Sequence, residues 1–199
     1  MIPLSSLVSR IDMASGTIDG CPVTGRSLSQ MRDAFADTAM CNAILRTGDP
    51  ILYTVSTLAL PEGPRSLVCG LGVIKPGRVG DEYFMTRGHL HAKKEEPELY
   101  VGLRGRGILL MQQEDGSESR AAEMSGECLI HVPGHTAHRT INTGNEPLVY
   151  LGIYAADAGH DYESIRGGNF TYAVVRRDGG PEVIARSAYI ASLNSTAEQ

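Results

Sequence analysis

The fold of this chain is decided by residues 88–91, which read GHLH, together with Glu98 and His138 further along. We interpret the residues around them as β-strands, in which side chains two apart point to the same face. His89 and His91 therefore project together. We predict that a strand opening at Glu98 lies antiparallel beside the first and brings its carboxylate back to the pair. Three imidazoles and one carboxylate form a complete ligand set for one divalent metal ion.

Composition is typical of a single globular domain. The 199 residues are 42% hydrophobic and 21% charged, which suffices for one buried core. The net charge of −5 gives no electrostatic attraction to nucleic acid or to an anionic membrane. No apolar run approaches the roughly 20 residues of a membrane helix, and we see no secretory signal. We expect a cytoplasmic protein with free cysteines, because its four cysteines form no Cys-x-x-Cys pair.

Turn residues divide the chain into many short segments. Its 23 glycines and 10 prolines stand between short apolar runs, a pattern typical of all-β proteins. We expect turns at 61–64 and 75–77 and hairpins at 115–116 and 178–180. The predicted strands are 51–60, 66–74, 83–91, 98–103, 107–113, 119–124, 127–132, 138–142, 148–154, 172–177 and 182–185.

We predict one domain in three parts. Residues 1–48 form an N-terminal arm, extended to about residue 25, and a short helix that packs on the barrel; Ser27 caps this helix, which ends near Leu45. Residues 49–190 form the barrel, in which the polar segment 155–168 holds a short helical turn. Residues 191–199 form a flexible tail, frayed from Ser192.

The ligand spacing resembles the two-part signature of the cupin superfamily. The first part joins the His-x-His pair to Glu98 and Gly105, and the second joins Pro133 to His138 and Asn142. The chain departs from the usual pattern in the longer gap before Glu98 and in having His135 where glycine is usual. The resemblance implies an all-β double-stranded β-helix, the cupin jelly-roll barrel. Such a barrel can hold one small ligand.

The donor types limit the metal without fixing it. Imidazole and carboxylate suit Fe(II), Mn(II), Zn(II), Ni(II) or Co(II). Four protein ligands would close a tetrahedral zinc site, whereas a five- or six-coordinate ion keeps positions open for two sugar oxygens. We therefore favour Fe(II), one ion per chain, acting as a Lewis acid.

Other polar residues have simpler interpretations. His131 and His135 fit surface or hydrogen-bonded core histidines better than ligands. Cys128 fits a buried small side chain, because nothing nearby in the sequence would activate its thiol. The charge run 93–96 is typical of a solvated loop.

Longer stretches of the sequence resemble one family within the superfamily. They closely resemble the cupin-type glucose-6-phosphate isomerases, a metal-dependent family of archaea and some bacteria. The resemblance implies a homodimeric enzyme of glycolysis or gluconeogenesis that interconverts glucose 6-phosphate and fructose 6-phosphate. It also implies that His89, His91, Glu98 and His138 hold the metal. The stretches that carry it are 24–31, 51–55, 83–93, 97–100, 137–144 and 154–162.

The same resemblance implies roles for residues outside the ligand set. Tyr53, Thr86 and the backbone of Gly88 match positions that hold the substrate phosphate. The family often places a threonine on the preceding strand, but residues 71–73 supply no hydroxyl here. His160 is a catalytic candidate that assists ring opening. The positions that match the sugar lining are Tyr100, Tyr154, His160 and Tyr162.

Two mechanisms and three functions stay open from the sequence. Glu98 can move a proton between C1 and C2 through a cis-enediol, or a hydride can shift directly on a metal-chelated open-chain sugar. The same ligands would also serve an Fe(II) cupin dioxygenase. A non-catalytic sugar-binding cupin is the third possibility. Turnover of fructose 6-phosphate distinguishes the first function from the other two.

Overall fold

The computed structural model describes residues 8–59, 66–165 and 170–197. Antiparallel strands dominate this part of the chain, with three α-helices and a 3-10 turn at Arg32–Ala34. The strands are β1 (Ile11–Asp12), β2 (Thr17–Ile18), β3 (Val23–Ser27), β4 (Ile51–Ala59), β5 (Leu67–Ile74), β6 (Arg78–Val79), β7 (Glu82–Tyr83), β8 (Glu98–Arg104), β9 (Arg106–Gln113), β10 (Ser119–Ser125), β11 (Leu129–Val132), β12 (Thr136–Asn142), β13 (Leu148–Ala155), β14 (Tyr172–Arg177) and β15 (Gly180–Ala185). The helices are α1 (Leu28–Met31), α2 (Thr38–Leu45) and α3 (Arg186–Ala197).

Two facing sheets enclose the core. One wall has six strands in the order β11-β8-β13-β5-β4-β3, and the other has three in the order β10-β9-β12. Leu52 and Ile74 of the first wall and Leu109 and Ile141 of the second are fully or almost fully buried in one apolar cluster. Burial of apolar side chains between two sheets is the main source of stability in such a barrel. The chain has the predicted all-β fold.

Residues 83–91 depart from the prediction of one continuous strand. Only β7 is regular there, and the segment beyond it meets its neighbours through isolated bridges, Met85 with Ile141 and His89 with His138. The backbone of Gly88 is left-handed (φ +79°), which interrupts an extended strand. The predicted pairing with the Glu98 strand is wrong, because β8 pairs with β11 and β13.

The predicted helix from Ser27 to Leu45 is broken into α1, the 3-10 turn and α2. Ser27 is the N-cap of α1, and its N–H donates to the Gln30 side chain at 3.1 Å. The break follows Ala34, because the N–H of Ala36 donates to Glu82 Oε2 at 2.6 Å. Asp37 then caps α2 by accepting from the N–H of Met40 at 2.8 Å.

The segments near both ends of the described chain contain more secondary structure than predicted. The predicted extended arm contains the β1–β2 hairpin and β3, which pairs with β4 as the outermost strand of its wall. The prediction of a frayed tail is wrong for residues 192–197, which continue α3. Tyr189 is 1% exposed and packs in one cluster with Leu193, which anchors this polar helix.

The remaining secondary-structure predictions have mixed outcomes. The strands around the two predicted hairpins pair as expected, β9 with β10 and β14 with β15. Residues 156–165 contain turns but no helix. The predicted turn at 61–64 lies outside the described residues. The domain boundaries at residues 48 and 190 stay predictions.

Candidate metal centre and adjoining cavity

The four predicted ligands converge inside the barrel. His91 Nε2 and His138 Nε2 lie 3.3 Å and 3.0 Å from Glu98 Oε2, and His89 Nε2 lies 3.8 Å from it. One ligand atom from each residue lies within 4.8 Å of all the others. Glu98 opens β8 in one wall, whereas His138 lies on β12 in the other and holds His89 beside it by a backbone bridge.

The ring orientation of two ligands is fixed by main-chain carbonyls. His91 Nδ1 is 2.7 Å from the carbonyl oxygen of Glu96, and His138 Nδ1 is 3.1 Å from that of Thr136. A carbonyl can only accept, so each Nδ1 carries the proton and each Nε2 presents a lone pair toward Glu98. Such outer contacts orient metal-binding imidazoles. The sequence interpretation of residues 93–96 as a solvated loop missed this role of the Glu96 carbonyl.

The third imidazole, that of His89, has a ring nitrogen without a hydrogen-bond partner, and a metal ion would bind it. His89 Nε2 is buried and has no hydrogen-bond partner within the described residues. Buried polar nitrogens without a partner are uncommon and costly. The position of this atom within reach of two other imidazole nitrogens and a buried carboxylate fits one divalent ion.

The electrostatics of the set also suit a cation. Burial alone would raise the pKa of Glu98, but the His138 and His91 rings beside its carboxylate outweigh burial and hold the pKa far below its usual value. Burial, together with the nearby His138, lowers the pKa of His89. An ionised carboxylate and neutral imidazoles are the forms that bind a metal.

A cavity adjoins the ligand set and reaches the surface. His89 and Glu98 form part of its wall, with Gly72 and Tyr150 from the six-stranded sheet. It brings together every residue that the sequence assigned to the substrate. These residues are Tyr53, Thr86, Gly88, Tyr100, Tyr154, His160 and Tyr162.

The aromatic members of this group are arranged in order from the ligands to the solvent. The ring centroids of His89 and His160 are 4.3 Å apart, and His160 stacks on Tyr162 at 5.8 Å with an interplanar angle of 7°. Tyr162 is 44% exposed, whereas Tyr100 is 5% exposed. His160 and Tyr162 therefore lie at the cavity mouth and Tyr100 in its interior.

Sequence reasoning missed Val55, Gly70 and three further residues of the cavity wall. Arg87, Tyr150 and Gly152 line the same space. A Cβ added to Gly152 would collide with Glu98 Oε1, so only glycine leaves room for this carboxylate oxygen. The register of β13 with β8, which pairs Gly152 with Tyr100, was not readable from either strand alone.

The weaker sequence candidates lie outside the ligand set. His131 and His135 are exposed, so of the two interpretations offered, surface or core, the structure shows the surface one. Cys128 is half-buried and its Sγ accepts from the N–H of Ser125 at 3.4 Å. All four cysteines are free, as predicted.

The fold and the site together define an all-β protein whose interior carries a His₃Glu ligand set suited to a divalent metal. Sequence comparison identifies the group within this class. The chain belongs to the glucose-6-phosphate isomerase family, whose model, described as glucose-6-phosphate isomerase, matches residues 32–188. The glucose-6-phosphate isomerase of Thermococcus kodakarensis is 40% identical over 174 residues, which cover 87% of this chain and 91% of that protein. The glucose-6-phosphate isomerase of Pyrococcus horikoshii is 38% identical over 175 residues, 88% and 92% of the two chains.

Proposed function

We propose that the protein interconverts glucose 6-phosphate and fructose 6-phosphate. The observation that carries the proposal is that one cavity is lined by His89 and Glu98 of the ligand set and by all seven candidates for substrate binding. Membership of the glucose-6-phosphate isomerase family agrees with it.

The ligand set would hold one divalent ion, for which we favour Fe(II) over Mn(II), Zn(II), Ni(II) or Co(II). His89, His91, Glu98 and His138 supply the donor atoms. A bound ion supplies Lewis-acid chemistry at the substrate carbonyl.

The phosphate end of the substrate fits between Tyr53, Thr86 and Gly88. The N–H of Thr140 donates to the Thr86 hydroxyl oxygen at 3.0 Å, which leaves the hydroxyl proton available to donate to an anion. Burial raises the pKa of Tyr53, so its phenol stays a neutral donor. The sugar would then lie along Tyr100, Tyr154, His160 and Tyr162, with His160 at the mouth to assist ring opening.

Glu98 is the candidate for proton transfer between C1 and C2. Its two oxygens have different surroundings: Oε2 faces the three imidazoles, whereas Oε1 lies on the Gly152 side of the cavity. One oxygen therefore contacts the ligand set while the other is directed toward the substrate space. A direct hydride shift needs no such base, and replacement of Glu98 separates the two mechanisms.

The cellular setting is part of the same proposal. Within the described residues, no helix is long and apolar enough to cross a membrane. We place the enzyme in the cytoplasm, in glycolysis or gluconeogenesis, without a nucleic-acid partner.

We also propose a homodimer, supported by apolar side chains exposed on the six-stranded wall: Leu67 is 50%, Leu99 37% and Leu129 69% exposed. Light scattering after size-exclusion chromatography measures the mass directly.

A coupled assay tests the activity. Purified protein loaded separately with each candidate ion is given fructose 6-phosphate, and glucose 6-phosphate is detected with its dehydrogenase. We expect turnover with at least one ion and none after chelation. His131→Gln is a matched control, because this histidine is exposed and lies outside the ligand set. Oxygen consumption without isomerisation would favour the dioxygenase instead.

A further inference from the structure

Arg139 is a buried cation directly behind the wall of the cavity. It follows His138 on β12 and is 3% exposed, and it is not among the cavity-lining residues. Successive residues on a strand point to opposite faces, so its side chain leaves the ligand set. Its Nη2 donates to the carbonyl oxygen of Arg87 at 2.5 Å, and its guanidinium carbon lies 4.2 Å from the centroid of the Phe170 ring.

The carbonyl that Arg139 holds belongs to the same peptide unit as the N–H of Gly88. In a trans peptide the C=O and N–H bonds point in opposite directions, and the described residues contain no cis peptide. A carbonyl drawn toward Arg139 therefore directs the Gly88 N–H the other way. Gly88 itself lines the cavity, so this direction is toward the cavity space.

We infer that Arg139 is a positioning residue, which fixes the Arg87–Gly88 peptide so that the Gly88 N–H faces the phosphoryl group of the substrate. The inference rests on the proposed function and deepens it. Arg139 touches neither the substrate space nor the ligand atoms. It acts through the peptide that it holds.

The surrounding contacts leave this peptide little freedom. Gly88 is left-handed, and an added Cβ would lie 2.9 Å from the Phe170 ring and 3.0 Å from the Cβ of Arg139. The N–H of Thr86 donates to Thr140 O at 2.9 Å and that of His89 to His138 O at 3.1 Å. The N–H of Gly88 has no protein acceptor within the described residues, which leaves it available to an anion.

The positive charge of Arg139 has to be considered separately from that of the nearby Arg87. Arg87 is engaged by Asp33 through two contacts, at 2.8 Å and 2.9 Å, and by the carbonyl of Gln30. Burial lowers the pKa of Arg139 to about 9, which still leaves its guanidinium charged at neutral pH. Arg139 therefore contributes a positive charge as well as a hydrogen bond, and an experiment must separate the two effects.

Inorganic phosphate is the probe, used with Zn(II)-loaded full-length protein because Zn(II) is diamagnetic. Calorimetry measures the dissociation constant, and ¹⁵N-glycine labelling follows the Gly88 amide resonance during the titration. The variants are Arg139→Met and Arg139→Lys. Arg104→Met is the matched control, since Arg104 also donates to a main-chain carbonyl, Met13 O at 3.1 Å, and also has a buried unpartnered Nε, yet does not line the cavity.

We expect Arg139→Met to weaken phosphate binding about tenfold relative to wild type and Arg104→Met, and to abolish the phosphate-induced shift of the Gly88 amide. If Arg139→Met binds phosphate more weakly but its Gly88 amide shift is unchanged, Arg139 acts through its charge alone and the inference is overturned. An unchanged affinity for phosphate would overturn it as well. If Arg139→Met does not fold, Arg139→Lys decides, because it keeps the charge without the planar fork. A reduced Gly88 shift in that variant supports positioning, and a wild-type shift and affinity refute it.

The same titration keeps this inference separate from the proposed function. Phosphate binding at Gly88 that depends on Arg139 in a protein without isomerase activity would refute the function alone. Isomerase activity in a protein whose Gly88 amide does not respond to phosphate would refute the inference alone.

Discussion

Tyr150 occupies the space that a side chain at Gly72 would need. The two residues are paired across β5 and β13, and a Cβ added to Gly72 would lie 2.6 Å from the Tyr150 hydroxyl oxygen. Both line the cavity. The stretch 71–73 has no hydroxyl side chain, but the neighbouring strand places a phenol against it. The shape of the cavity at this point therefore depends on a glycine and a tyrosine that fit together.

Gly72→Ala should displace the Tyr150 ring, because the overlap with its hydroxyl end leaves no room for a methyl group. Overpacking of this kind costs about 1–3 kcal/mol, measured as a loss in the free energy of unfolding by urea. Gly70→Ala on the same strand is the control, since its added Cβ would meet Val55 Cγ1 at 3.4 Å, an ordinary contact. In the double variant Gly72→Ala/Tyr150→Ala the two losses should be less than additive. Full additivity would contradict the proposed fit.

Glu98→Gln tests the carboxylate as a base. An amide cannot accept the proton that moves between C1 and C2, so we expect kcat to fall at least about 10²-fold in protein that retains its metal. Metal content is measured on the same sample by elemental analysis. Glu96→Gln is the control, because its main-chain carbonyl and not its side chain holds His91. Unchanged turnover with the metal retained would favour the hydride shift.

Removal of the metal should affect stability as well as activity. Without an ion, His89 Nε2 has no partner within the described residues, and Glu98 Oε2 lies among three imidazole nitrogens. A ligand present at 100 times its Kd stabilises the folded state by about 2.7 kcal/mol. Calorimetry should therefore show a Tm that rises with the concentration of added ion, and activity that returns with it.

Two variants, each with one histidine replaced, check this rise of Tm with added metal. His131→Gln should respond to metal as the wild type does, because His131 is exposed and lies outside the ligand set. His89→Ala should lose most of the rise in Tm. An equal response in the two variants would argue against His89 as a ligand.

Spacing along the strands was sufficient to predict that the four candidate ligands lie together. His89 and His91 share a side of the chain because they are two residues apart, and Glu98 and His138 each belong to a segment that enters the same interior. The alternation of a strand determines which face a residue occupies but not which strand lies beside it. For that reason the partners of β8 were predicted wrongly, although the convergence of the four side chains was predicted correctly.

The features that sequence patterns missed depend on contacts distant along the chain. The predicted long helix is interrupted before α2 because the N–H of Ala36 donates to Glu82, which is 46 residues away along the chain. Arg139 gives no sign of burial in the sequence, since a charged residue on a strand is usually exposed. The polar α3 is helical because Tyr189 is buried against the β14–β15 hairpin. None of these interactions leaves a local pattern.

The ion pair between Asp33 and Arg87 links the N-terminal segment to the cavity wall, and it predicts a dependence of stability on pH. The hydrogen bond from Arg87 holds the pKa of Asp33 below its ordinary value of 3.8. A lowered carboxyl pKa stabilises the folded state above the unfolded pKa, and this contribution disappears as pH falls through the folded pKa. The Arg87 and Asp33 side chains are 27% and 47% exposed, so we expect a contribution of only about 0.5 kcal/mol.

Asp33→Asn should therefore be slightly less stable than the wild type at pH 7, with a difference that closes as the pH falls below about 4. Urea unfolding across this range measures the difference in the free energy of unfolding. Asp178→Asn, in the exposed turn between β14 and β15, controls for the substitution itself. If the difference in the free energy of unfolding persists unchanged at low pH, Asp33 stabilises the 3-10 turn through the shape of its side chain. It then does not act through the attraction between its charge and Arg87.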